Sequence, residues 1–115
     1  MPASNGPNVG FKYGWSDFEN AWGSDMNDNL IRADALTQLA VKDKDLSAPP
    51  GSPVDGDRYI VAGSPTGAWT GHTKEIALFI NLAWRFYAPK EGWTAWVNDE
   101  DVFYVYNGSS WGIPA

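Results

Sequence analysis

The sequence predicts an α+β fold: one N-terminal helix packed on a small antiparallel β-meander, either open or curled into a partly closed barrel. Three observations predict it. Apolar residues recur at three- and four-residue steps only between residues 24 and 41. After Asp55 the apolar spacing changes to two. Short clusters of turn residues separate the later apolar runs, which favours neighbouring antiparallel strands.

The helix is expected to start at Ser24 or Asp25, whose side chains suit a cap, with Asp25 and Asp28 complementing the positive end of the dipole. Met26, Leu30, Ala33, Leu36, Leu39 and Ala40 then form one stripe. The pattern fades at Lys42-Asp43-Lys44-Asp45, and Pro49-Pro50-Gly51-Ser52-Pro53 forbids helix and forces an extended linker. Strands are expected near Arg58–Val61, Glu75–Ile80, Trp84–Tyr87, Thr94–Val97 and Val102–Tyr106, with a short last one at Trp111. Ahead of the helix, residues 1 to about 10 read as a flexible arm of Pro, Gly, Asn and Ser. The next stretch carries Phe11, Tyr13, Trp15, Phe18 and Trp22 with no clean period and reads as a docking segment. The domain division that follows is 1–23 for arm and docking segment and 24–115 for one compact helix-plus-sheet domain.

With 115 residues the chain has room for one core. It holds no cysteine, which removes disulfides and thiolate metal sites. Its net charge of −6 opposes nucleic-acid binding. No apolar run approaches bilayer length, so no membrane insertion is expected. Seven Trp, five Tyr and five Phe make aromatic rings the main apolar material, for the core or for recognition.

Strand parity sharpens that choice. In Ile76-Ala77-Leu78-Phe79-Ile80 and in Val102-Phe103-Tyr104-Val105-Tyr106 both faces are apolar, and Trp93 and Trp96 point to opposite sides. A sheet with one wet face alternates apolar with polar residues. These strands do not, so a second cover is required. The aromatic N-terminal segment, a curl of the sheet, or another subunit would each supply it. Phe11, Tyr13, Trp15, Phe18, Trp22, Trp96 and Phe103 are therefore the expected partner interface.

Catalytic chemistry finds little support. His72 is the only histidine; it lies in a turn and reads as a solvated side chain, with no strained Gly-x-Ser-x-Gly elbow in the chain. Asp99-Glu100-Asp101 reads as a solvated turn rather than a pair of glycosidase acids. Asp25-Met26-Asn27-Asp28-Asn29 imitates the start of a calcium loop, then lacks its glycine and closing glutamate. No enzyme activity, metal or cofactor is expected. Trp69, in a loop of small residues, and Trp93, after Glu91-Gly92, are candidates for a glycan platform with Asp99 as a nearby polar group. The competing reading makes both rings plugs at the ends of the core.

The ordered set Ala48-Pro49-Pro50, Gly56-Asp57-Arg58-Tyr59-Ile60-Val61, Gly67-Ala68-Trp69-Thr70-Gly71, Trp84-Arg85-Phe86, Gly92-Trp93 and Tyr106-Asn107-Gly108 with Trp111 resembles an uncharacterised domain family found in tail-fibre and related virion proteins of phages, prophages and gene transfer agents. The likeness spans about residues 13 to 112. Where a tight hairpin calls for Gly before Trp84, this chain has Asn81-Leu82-Ala83. The resemblance implies a structural component of a phage-like particle: a tail fibre, spike or fibre adaptor acting in host attachment or assembly. It implies other virion proteins as partners, a homo-oligomer (a trimer by analogy with fibres), synthesis in the host cytoplasm and residence in the virion. Recognition of host surface polysaccharide is the alternative function, and the family supplies no catalytic residues to carry over.

Overall fold

A computed structural model describes residues 4–16 and 22–114. Among the described residues there are one α-helix and several short sheets, antiparallel but for one parallel pair, and no closed barrel. The chain divides into two compact units, Met1–Thr37 and Gln38–Ala115.

The first unit opens with a small antiparallel hairpin, β1 (Ser4–Asn5) and β2 (Lys12–Tyr13), with Ser4 opposite Tyr13 and Asn5 opposite Lys12. The expected flexible arm is thus folded from Ser4 onward. Its Gly and Pro residues shape the connecting loop: Gly6 N–H donates to Phe11 O at 2.6 Å, and Gly10 turns at φ +87°.

The helix α1 runs Trp22–Leu36, so it begins before Ser24, and Ser24 and Asp25 fall inside its first turn. Asp25, Asp28, Asn29 and Arg32 lie at i, i+3, i+4 and i+7, on one face. That polar face holds the hairpin. The Asn29 side chain accepts from Lys12 N–H at 2.8 Å and donates to Lys12 O at 2.9 Å. Lys12 Nζ pairs with Asp25 at 3.2 Å and Asp28 at 3.6 Å, and Arg32 Nη1 donates to Val9 O at 3.1 Å. A Cβ on Gly10 would stand 3.2 Å from Arg32 Nη1, so close approach and backbone conformation both call for glycine there. The acidic run that imitates half a calcium loop is a clamp for a hairpin.

Two sequence expectations for the helix fail. Leu30, placed on the apolar stripe, is exposed, while the buried helical residue is Ala35. Leu39 and Ala40 are not helical. Gln38 adopts φ 49° after α1, and Ala40–Val41 forms β3. Two residues of strand leave no period to read, so their apolar character merges with the helical pattern.

In the second unit, β4 (Arg58–Ile60), β5 (Ile76–Ile80) and β6 (Ala83–Tyr87) form an antiparallel sheet in that order. The other sheet is ordered β3, β7 (Thr94–Val97), β8 (Val102–Tyr106), β9 (Trp111–Gly112), with β3 parallel to β7 and the remaining pairs antiparallel. Backbone hydrogen bonds stitch residues 42–47 to the chain from Arg58 onward. Lys42 N–H donates to Arg58 O, Ile60 N–H to Asp43 O, and Ala62 N–H to Leu46 O, at 2.8, 3.1 and 3.0 Å. Residues 39–47 therefore serve both sheets, because Leu39 O and Val41 O accept from Trp96 and Asn98 on the other side.

The β5–β6 connection is tighter than the three-residue turn expected. Ile80 pairs with Ala83, so only Asn81 and Leu82 turn the chain, at φ 52° and 64°. Both residues are left-handed, as a type I′ hairpin requires. Leu82 occupies the position glycine favours and is 90% exposed.

Candidate functional site

The two sheets dispose of their second faces differently, and this contrast locates the site. In the three-stranded sheet the register puts Tyr59, Ala77 and Phe86 on one side, together with Phe79 and Trp84. The loop after β4 lays Trp69 over them on a short 3₁₀ turn, Gly67–Trp69. Trp69 lies 5.6 Å from Tyr59 and 5.2 Å, edge to face, from Trp84. Tyr59, Val61, Trp69 and Ala77 form a core cluster, with Leu46, Trp84 and Phe86 packed against it. The opposite side, Ile60, Ile76, Leu78 and Tyr87, is buried as well. Both faces of this sheet are covered, and the cover of one is the chain's own loop.

Trp69 is thus corrected from glycan platform to core: its exposure is 0%. Its loop is made of small residues because the ring's neighbours come from β4, β5 and β6, distant in sequence. The indole Nε1 finds no acceptor among the described residues, a cost that the ring's apolar burial offsets. Trp93 is half-buried, and its carbonyl accepts from Tyr106 N–H at 2.9 Å, extending the β7–β8 ladder. Asp99 lies at the other end of β7, in the turn to β8. The structure does not bring Trp69, Trp93 and Asp99 into one site.

His72 is likewise not a freely solvated turn residue. Its ring stacks on Phe86 at 3.6 Å with planes 2° apart, and its Nδ1 lies 2.6 Å from Glu75 Oε1. The stack fastens the end of the Trp69 loop to β6, and Glu75, just ahead of β5, holds the ring in place.

The four-stranded sheet has one buried side, carrying Val41, Ala95, Val97 and Tyr104. The other side carries Ala40, Trp96, Phe103 and Val105, paired across β3, β7 and β8. Trp96 and Phe103 are directly opposite, with centroids 4.9 Å apart and planes at 76°. This edge-to-face pair is half open: Phe103 is 50% exposed and Trp96 half-buried. Both belong to the expected partner interface.

At the turn end of this hairpin acidic groups gather. One carboxylate oxygen from each of Asp43, Asp45 and Asp99 lies within 4.8 Å of the others. Lys44 Nζ pairs with Asp45 at 3.1 Å and with Glu100 at 3.4 Å, and Glu100 accepts from Tyr104 O–H at 2.5 Å. Local desolvation and the carboxylates of Asp43, Glu100 and Asp45 push the Asp99 pKa above its ordinary value. The Tyr104 hydroxyl is pushed up by its hydrogen bond to Glu100, then by desolvation. Asp99, Glu100 and Asp101 are exposed, as the solvated turn expected from the sequence requires, but the turn does not stand alone. The missing signal was the second acidic run, Asp43 to Asp45, which the parallel β3–β7 pairing brings alongside.

In the first unit Phe11, Tyr13 and Trp22 are exposed, at 41%, 55% and 51%, and Trp15 is half-buried. Phe18, also in the expected interface, lies outside the described residues. Among the described residues no helix is long and apolar enough to cross a membrane.

Comparison with known proteins places the chain. Residues 26–112 match the sequence profile of the family described as Protein of unknown function (DUF2793), and the chain belongs to that family. No curated protein matches it.

Proposed function

We propose that this member of the DUF2793 family is a non-catalytic structural module of a phage or phage-like particle, acting through its surfaces in assembly or host attachment. The observation that carries the proposal is the placement of large aromatic rings on the outside of a protein whose core is already filled. Tyr13, Trp22 and Phe103 are each at least half exposed, while Trp69 fills the interior. Rings held open cost solubility and contribute when a partner covers them. The phage setting rests on the likeness of motifs from Ala48 to Trp111 to virion proteins. In this reading the module forms a homo-oligomer, contacts other virion proteins, and resides in the particle after synthesis in the host cytoplasm. Attachment to host polysaccharide, where it occurs, does not run through Trp69.

Sedimentation equilibrium of the purified chain, joined to immunodetection of the chain in purified particles, tests this. The expected result is a discrete oligomer and a signal that stays with the particles. A monomer at every concentration, absent from particles, contradicts it.

A further inference from the structure

We infer that the open edge of β6 pairs with the same edge of a second copy of this chain, antiparallel across a two-fold axis, so that the β4–β5–β6 sheet continues from one copy into the other. The inference rests on the assembly-module reading and names the surface through which that module self-associates.

The edge follows from the hydrogen-bond pattern. Phe79 N–H donates to Asp57 O at 2.9 Å and Phe79 O accepts from Gly56 N–H at 2.7 Å, so Phe79 serves the β4 side. Ile76, Leu78 and Ile80 therefore face β6, where the register sets them against Tyr87, Arg85 and Ala83. The alternate residues of β6, Trp84 and Phe86, turn their backbone N–H and C=O groups away from β5. Among the described residues no strand meets them, and Ala88, next in that alternation, makes no backbone hydrogen bond. Donors and acceptors from all three residues thus line one rim at two-residue spacing, which is what an added strand requires.

The other edge of the second unit is no match for it. Residues 39–47 join the two sheets by hydrogen bonds to both, which leaves β9 as the remaining edge among the described residues. That strand has two residues, and Pro114 follows it closely. β6 has five, none of them proline, and is held in place ahead of any contact: Trp84 stands edge to face on Trp69, and Phe86 lies against His72. A strand already fixed loses little freedom on pairing.

Charge and symmetry select the occupant. The chain carries −6, so its copies repel wherever carboxylates meet. From Ile76 to Pro89, through β5, the turn and β6, there is no carboxylate. Two identical edges laid antiparallel are self-complementary. Arg85 then fixes the register. Arginine opposite arginine repels, whereas Phe86 opposite the Phe86 of the second copy sets Arg85 against Tyr87. The same alignment joins Trp84 to Ala88 at both ends and leaves no open group of the rim unused.

Hydrogen exchange of the full chain, ¹⁵N-labelled and followed at low and at high protein concentration, tests this. The amides of Trp84, Phe86 and Ala88 should exchange fast in the dilute monomer and slow by roughly tenfold or more as the chain dimerises, while those of Ala83, Arg85 and Tyr87, bonded to β5, stay slow throughout. Ala88→Pro removes one outward donor at an exposed position. It should weaken dimerisation roughly tenfold or more in sedimentation equilibrium, because each dimer loses two hydrogen bonds. The exchange pattern needs no variant, so it decides even where Ala88→Pro perturbs the fold. Fast exchange of Trp84, Phe86 and Ala88 in an oligomer, or dimerisation indifferent to a folded Ala88→Pro variant, means that another surface is used: this inference falls and the assembly reading stands. Protection of the three amides in a chain still monomeric also overturns it. If the chain is monomeric when purified yet stays with the particles, the second copy is not the occupant, and again only this inference falls. If the chain neither self-associates nor enters particles, the assembly reading falls with it.

Discussion

The two sheets of the second unit are built from similar strands and meet opposite fates. Both β5 and β8 are apolar on each side. The β4–β5–β6 sheet receives a loop that lays Trp69 over one face, with His72 stacked on Phe86 and joined to Glu75 to hold it there. The β3–β7–β8–β9 sheet leaves Trp96 and Phe103 half open. An apolar face thus reports only that a cover is needed. Whether the cover is internal depends on the length of chain available to fold back. The connection from β4 to β5 is long enough to carry a tryptophan over the sheet; the four residues between β7 and β8 are not.

The largest effect should come from breaking the closed face. Trp69→Ala removes a fully buried indole and leaves a cavity between Tyr59 and Trp84, so a loss of about 3–5 kcal/mol is expected. Urea unfolding measures it, and a loss below about 1 kcal/mol, the range for surface changes, would place the ring outside the core. On the open face, Phe103→Ser should cost only about 1 kcal/mol, chiefly the contact with Trp96. A cost matching that of Trp69→Ala would mean the face is covered by the chain itself.

A smaller effect of opposite sign is expected at the β5–β6 turn. Leu82 holds a left-handed conformation with its side chain in solvent. Leu82→Gly should stabilise the fold by about 0.5–1 kcal/mol, because relief of backbone strain outweighs the added freedom of the unfolded chain. A lower melting temperature would show that Leu82 makes contacts offsetting its strain.

The subtlest test concerns the acidic end of the open sheet. The Asp99 carboxyl has a folded pKa above its ordinary 3.8, so the folded state holds the proton more tightly than the unfolded one. Its favourable contribution is complete below that ordinary value and is lost as pH rises through the raised one. Asp99→Asn should therefore flatten the stability profile in the window above pH 3.8 and leave the variant no less stable than the parent at neutral pH. A profile unchanged by the substitution would mean that the carboxylates do not strain one another.

What the sequence disclosed follows from the range of each interaction. From Arg58 onward the strands stand where alternation and turn residues place them, because both signals are local; even the brief β9 is marked by Trp111 after Asn107-Gly108. The two-residue elements left no such trace. The β1–β2 hairpin hides in a Gly- and Pro-rich stretch, and β3 shares its apolar residues with the end of the helical pattern. The polar face of α1 was not read as one, because the meaning of Asp25, Asp28, Asn29 and Arg32 depends on the distant hairpin and on the backbone of Lys12, which Asn29 grips from both sides. Trp69 stayed open between glycan platform and core plug for a related reason: its neighbours in sequence are small, while its neighbours in space, Tyr59, Ala77 and Trp84, come from three strands. Trp96 and Phe103 were legible because parity alone turns them away from Ala95 and Tyr104. The acidic end was only half legible, since its second run arrives through a parallel pairing of two residues.

Hydroxyl-radical footprinting of the dilute chain, read residue by residue by mass spectrometry, is the most direct test of the difference between the two sheets. Trp96 and Phe103 should be oxidised readily, while Trp69 and Tyr59 stay protected until the protein unfolds. Equal labelling of Trp69 and Trp96, or protection of Phe103 in a chain shown to be monomeric, would contradict it.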